Sequence, residues 1–170
     1  TAGDKLSAVT FNAGVKDPLN FLLDPPRCEV AMTANTAITS SLTLGTWDNE
    51  ITDNDNMHNT ASQQSRIVIQ TPGRFLFYIS TFMSSATYTQ YDINLRINSG
   101  GSAAGGSSVR TWSVGSPGGA SRQITLSGSR YMPTTTDYFE LFVATTPNGN
   151  LTGGLGVFAT GMQVIWKSLT

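Results

Sequence analysis

From Pro26 onward, short runs of β-branched and aromatic residues alternate with clusters of Gly, Pro, Asn and Ser, and no stretch repeats its apolar residues at helical spacing. This is the pattern of strands separated by turns. We read strands over 28–33, 37–44, 66–70, 74–83, 92–98, 109–114, 123–126, 138–144 and 157–166. Strands at this spacing, with no helical crossovers between them, predict an all-β fold, an antiparallel jelly-roll sandwich. The connections agree. Residues 97–109, INSGGSAAGGSSV, form a small-residue loop, Pro117-Gly118-Gly119 a turn, and Asn148-Gly149 another. None of these Gly-rich loops precedes a helix or carries a Lys followed by Ser or Thr, so none is a phosphate cradle.

The segment before Pro26 differs. In VKDPLNFLLDPPRC, Asp17 suits an N-cap and Pro18 the first helical position. Leu19, Phe21, Leu22 and Leu23 supply one or two apolar turns, and Pro25 and Pro26 stop them. Residues 1–26 are therefore read as an N-terminal arm with room for a short helical turn, and residues 27–170 as the jelly-roll domain. A turn that short is not stable alone, so the arm must rest on its own domain or on a neighbouring molecule.

Composition narrows the function classes. Charged residues are 12% of the 170-residue chain, about half the usual share. The formal net charge is −1, which leaves no basic field to displace counterions from a phosphate backbone, so nucleic acid is not an expected partner. No apolar run approaches the roughly 20 residues needed to cross a bilayer, and no basic-then-apolar opening marks a secretion signal. A chain made in the cytoplasm, without a membrane partner, is expected. Cys28 is the only cysteine; it excludes an internal disulfide and is read as a small buried apolar residue.

Several strands are apolar on both sides. In RFLFYISTFM one face carries Phe75, Phe77, Ile79, Thr81 and Met83, and the other Leu76, Tyr78, Ser80 and Phe82. DYFELFVAT sets Tyr138, Glu140, Phe142 and Ala144 against Phe139, Leu141 and Val143, and GMQVIWKSL sets Met162, Val164 and Trp166 against Gln163, Ile165 and Lys167. A two-layer sandwich gives each sheet one inner face, so a second apolar face calls for another cover. A neighbouring subunit is the expected one.

Residues 53–80, DNDNMHNTASQQSRIVIQTPGRFLFYIS, resemble a stretch of tumour-necrosis-factor-like and complement-globular-head-like jelly rolls. There a polar loop leads to a short strand, a Thr-Pro-Gly or Thr-Ala-Gly turn and an aromatic strand. Residues 136–154, TDYFELFVATTPNGNLTGG, resemble the later Asp-Tyr-aromatic-Glu-Leu strand, and VFATGMQVIWK the closing one. NFLLDPPRCEV followed by the DNDNMH loop is similar to small virion proteins of tailed bacteriophages that carry this domain behind a short arm. The resemblance covers about 28–166. It implies a homotrimer with aromatic strands facing the threefold axis, and Phe75, Phe77, Tyr138 and Phe142 as the buried trimer contact. One position departs from it: Asn56 stands where many relatives place Gly, and Asn tolerates a positive φ less freely.

The polar stretch NEITDNDNMHNTAS (49–62) invites a metal or catalytic reading. An EF-hand template begun at Asp53 puts Met57 at a ligand position, His58 where Gly is required and Gln64 where the bidentate Glu belongs. No metal is expected. His58 is the only histidine, no G-x-S-x-G turn accompanies it, and Cys28 lies in a strand, so no catalytic site and no cofactor are expected. Asp53, Asp55, Met57 and His58 are read as a structural loop in which Asp and Asn side chains bond to backbone amides and Met57 is the apolar plug. Asp137 and Glu140 face opposite ways on their strand and make no glycosidase pair. The sequon Asn150-Leu151-Thr152 is read as incidental.

Together these readings lead to one functional expectation. The chain is a virion structural protein, a trimeric capsid decoration or cement protein whose arm residues Phe11, Leu19, Phe21, Leu22 and Leu23 bind the major capsid protein or another virion protein. The alternative is a minor tail or fibre-tip protein that binds host-surface glycan, with Tyr88, Tyr91, Trp112 and Tyr131 as aromatics near loops or strand ends.

Overall fold

The structure, a computed structural model, describes residues 7–83, 88–115, 122–154 and 159–169. Among them twelve strands form two antiparallel sheets: β1 (Arg27–Ala31), β2 (Thr36–Ile38), β3 (Thr43–Leu44), β4 (Asn49–Asp53), β5 (Arg66–Val68), β6 (Gly73–Met83), β7 (Gln90–Ile97), β8 (Ser107–Gly115), β9 (Arg122–Met132), β10 (Tyr138–Thr146), β11 (Gly149–Leu151) and β12 (Gly161–Ser168). The larger sheet runs β2-β11-β6-β12-β1-β4, with β9 also paired to β6. The smaller runs β3-β10-β7-β8, with β5 also on β10. The last strand lies between β1 and β6, so both ends of the domain are closed into one ladder. This is the antiparallel jelly-roll sandwich the sequence predicts.

Side-chain parity makes the core. On β6 the burial alternates, with Phe75, Phe77 and Ile79 inward and Leu76 and Tyr78 outward. Met162, Val164 and Trp166 of β12 join the inward set, facing Phe139, Leu141 and Val143 of β10 and Ile93 and Leu95 of β7 in one apolar cluster. Phe77 bridges the sheets, its ring centroid 6.1 Å from that of Phe139. A Cβ on Gly128 would stand 2.5 Å from Phe77 Cζ, so β9 needs glycine where this ring lies.

The strand assignments differ from expectation in four places. The predicted strand 37–44 is two strands, β2 and β3, in different sheets. β4 went unread because NEITD carries one apolar residue, Ile51, and its order comes from pairing with β1. β9 extends to Met132, well past the expected Leu126, because all eleven residues find partners on β6 despite small polar side chains. The short β11 follows the expected turn at Asn148-Gly149. The Pro117-Gly118-Gly119 turn lies outside the described residues.

The arm is more helical than its capping signals suggest. Ser7 Oγ accepts from the Thr10 amide at 3.1 Å and starts α1 (Ala8–Phe11). One wider π-helical segment (Asn12–Lys16) leads into α2 (Asp17–Leu23), which ends before Pro25 and Pro26. No helix among the described residues is long and apolar enough to cross a membrane.

Candidate functional site

The polar loop is a self-bonded connector between β4 and β5. Asp53 turns its carboxylate onto the amides of Asp55 (3.1 Å) and His58 (2.8 Å), and Asn59 Oδ1 accepts from Ala61 and Ser62. Asn56 takes φ 51°, the left-handed conformation that Asn tolerates. Met57 is buried in the core, and its carbonyl accepts from the Val68 amide at 2.6 Å. The buried His58 ring places Nε2 3.3 Å from the Gln64 carbonyl and Nδ1 3.6 Å from Glu50. Burial pushes the Asp55 carboxyl up, the Thr71 hydrogen bonds oppose this, and the Asp53 charge adds to it; the net shift is upward. No group of three or more His, Cys, Asp or Glu is placed to hold a metal among the described residues.

Glu140 is the most enclosed carboxylate among the described residues, 1% exposed. Its Oε1 accepts from Ser65 Oγ (3.1 Å) and Arg66 Nε (3.0 Å), and its Oε2 from Ser99 Oγ and the Gly101 amide (3.0 Å). Four donors, from Ser65 and Arg66 at the start of β5 and from the loop after β7, thus converge on β10. All hydrogen-bonding capacity is taken up in fixing loops, which leaves no free base for chemistry. Cys28 is buried on β1, and burial followed by the charges of Asp53, Glu50 and Glu29 pushes its thiol far up, which makes it inert.

The residues expected at a trimer axis are elsewhere. Phe75, Phe77 and Phe142 are 0%, 3% and 1% exposed within a single chain, so none is available to a neighbour. For Phe75 and Phe77 the physical reason is parity: they occupy the inner side of β6, and the apolar residues left outside are their alternates. Phe142 has the opposite parity to the core residues of β10 and is buried on the other side of that strand, where β10 pairs with β3. Tyr138 is also committed locally. Its hydroxyl accepts from the Gly100 amide at 2.9 Å and its ring lies 4.2 Å beneath the Arg66 guanidinium.

The uncovered apolar surface is the outer face of the larger sheet. Leu76 is 41% exposed, Tyr78 49% and Ile51 52%. Ladder register sets Leu76 directly opposite Ile165 and Tyr78 opposite Gln163, with Ser129 and Ser127 on the β9 side. Arg27 and Glu29 of β1 continue the two rows. The result is an apolar centre framed by small and polar side chains, with two hollows of about 780 and 470 Å³ that share Tyr78 and Gln163. This face is the second side of RFLFYISTFM, Leu76 and Tyr78, whereas the expected contact residues Phe75 and Phe77 have the inward parity. The signal that would have corrected the expectation is Gln163 and Lys167, which mark the outer side of β12.

The arm offers a second apolar surface. Val9, Phe11, Val15, Leu19, Leu22 and Leu23 are all exposed. Phe21 corrects its assignment as a free docking residue: it is partly buried and meets Trp166 edge-on at 4.6 Å between centroids, which ties the arm to its own domain. Trp166 in turn lies over Gly73, where a Cβ would be 2.1 Å from Nε1, and this nitrogen donates to the Pro72 carbonyl at 3.3 Å. Of the aromatics considered for sugar stacking, Tyr88 and Tyr91 are buried, whereas Trp112 and Tyr131 are exposed.

No protein-family model matches the chain. No curated protein sequence matches it either. Solved structures do. The globular domain of zebrafish complement 1qA protein superposes with a TM-score of 0.59 at 9% identity, covering 85% of this chain and 99% of that one. Murine APRIL, in a crystal structure at pH 5.0, gives 0.62 at 11% identity, covering 84% and 98%. At these identities the likeness is one of architecture: the chain has the complement-head and tumour-necrosis-factor-like jelly-roll fold over nearly the whole of each match.

Proposed function

We propose that this chain is a virion structural protein of a tailed bacteriophage, a homotrimer that decorates or cements the capsid through its N-terminal arm. The observation that carries the reading is a complete core with two apolar surfaces left outside it. One is the Leu76, Tyr78 and Ile165 face of the larger sheet, the other the arm stripe of Phe11, Val15, Leu19 and Leu22. An apolar centre with a polar frame is the anatomy of a subunit contact. Side chains on an arm project beyond the domain and suit a partner of another kind. Three joined arms hold far more tightly than one, because the second and third contacts become intramolecular.

Removing residues 1–24 tests this. The truncated protein remains a soluble trimer by light scattering and no longer attaches to particles; a monomer, or undiminished attachment, overturns the reading. The second reading, a tail or fibre-tip protein recognising glycan, draws on the exposed Trp112 of β8. Hundreds of copies per particle support decoration, whereas a handful, with glycan-array binding lost in Trp112→Ala, support the tail.

A further inference from the structure

β8 and β9 are edge strands, one in each sheet: β8 pairs with β7 and β9 with β6. Where the start of β8 meets the end of β9, the seam holds a hollow of about 230 Å³. Ile97 and Met132, both buried, are apolar members of its lining, and Arg130, Tyr131, Ser107 and Asp137 complete its walls. The hollow suits one side chain with a neighbour, and is too small for an extended segment.

Its charges are unequally committed. Asp137 is spent inside the fold, Oδ1 accepting from Asn98 Nδ2 at 2.7 Å and Oδ2 from the Thr134 amide at 3.0 Å. Arg130 is different. It shares the inward parity of β9 with Leu126 and Met132, yet it is exposed and makes no ion pair among the described residues. An exposed guanidinium in the lining of a mixed hollow that also holds Ile97 and Met132 suits a carboxylate, to which it donates two parallel charge-assisted hydrogen bonds.

The position of the hollow links it to the arm. Met132 pairs with Gly73 on β6, and Gly73 lies beneath the Trp166 ring on which Phe21 packs. The root of the arm and the hollow therefore flank one residue, about two strand spacings, or roughly 10 Å, apart. We propose that the hollow is a second docking point for the partner that the arm engages, and that it takes an acidic side chain, with its apolar neighbour, from that partner. This rests on the arm-docking reading above.

The test uses the full-length chain. Attachment to particles stripped of this protein is measured by co-sedimentation for the wild type, Arg130→Gln, Arg130→Lys and the arm variant Leu19→Asp/Leu22→Asp. In parallel, N-acetylglutamate amide and N-acetylglutamine amide are titrated while the Met132 methyl resonance is followed. The expected result is a saturable shift with the glutamate compound alone, lost in Arg130→Gln. Attachment is weakened about tenfold in Arg130→Gln, the loss of one charge-assisted contact, and partly restored in Arg130→Lys. If Arg130→Gln attaches like the wild type while the arm variant does not, the docking point is wrong and the arm reading survives. The same holds if Arg130→Gln merely aggregates, which makes Arg130 a guard of the sheet edge. If the arm variant attaches normally, the arm reading fails, and a Met132 shift that does not distinguish the two compounds removes the hollow as a carboxylate site on its own evidence.

Discussion

Arg66 donates from Nε to Glu140 at 3.0 Å, with the carboxylate wholly enclosed and the guanidinium partly open to solvent. This ion pair joins β5 to β10, and the other donors to Glu140 tie in the loop after β7. Glu140→Ala strands a cation and three further donors, so unfolding free energy is expected to fall by about 3–5 kcal/mol. Glu140→Gln, which keeps shape and part of the bonding, costs less. Urea denaturation of both variants measures the difference.

The same network sets an acid limit. Burial pushes the Glu140 carboxyl up, but hydrogen bonds from Ser99, Gly101, Arg66 and Ser65 outweigh it and leave it below the ordinary 4.5. A folded-state value depressed in this way contributes stability that is full above about pH 4.5 and is lost as pH falls through the lower folded value. Asp55 has the opposite sign: its raised carboxyl withdraws stability as pH rises through the folded value. Denaturation midpoints are expected to drop below about pH 5, less so in Glu140→Gln, while Asp55→Asn gains at neutral pH.

Exchanging the two sides of β6 separates stability from assembly. Tyr78→Lys on the outer face is expected to leave the melting temperature nearly unchanged and, in the proposed trimer, to weaken subunit association by about 30-fold or more, as for a central interface aromatic. Phe75→Ala on the inner face should cost about 3–5 kcal/mol without changing the number of subunits. Sedimentation velocity and thermal melts on both variants give the comparison.

The arm's root can be loosened at a distance. Gly73→Ala forces Trp166 out of its seat, since the new Cβ would stand 2.1 Å from Nε1, and Phe21→Ala removes the ring that rests there. Both are expected to speed proteolytic cleavage between residues 7 and 26. Gly73→Ala also lowers stability, whereas Phe21→Ala hardly does. Limited digestion followed by mass measurement distinguishes them.

Strand content and the jelly-roll class were legible because apolar runs and turn residues are local signals. β4 was not, because its five residues gain their order from a partner far along the chain. Nor was the correct face of β6: Phe75 and Leu76 are equally apolar, and only the ladder to β12, whose Gln163 must meet water, decides which turns outward. The loop at Asp53 and His58 was readable because the Asp53 bonds that shape it reach only to Asp55 and His58. The convergence of Ser65, Arg66, Ser99 and Gly101 on Glu140 joins residues up to 75 apart and carries no local mark.

Among the described residues, the edge-on contact of Phe21 with Trp166 is the only ring–ring contact between the helical leader and the sandwich. A leader held by one aromatic rivet and by bonds to the Pro25 and Pro26 carbonyls asks little of its other side chains: the first two dozen residues can change while the β-scaffold behind stays as it is. Chains built on this jelly roll would then differ most in sequence ahead of Pro25, where change does not disturb how the rest folds.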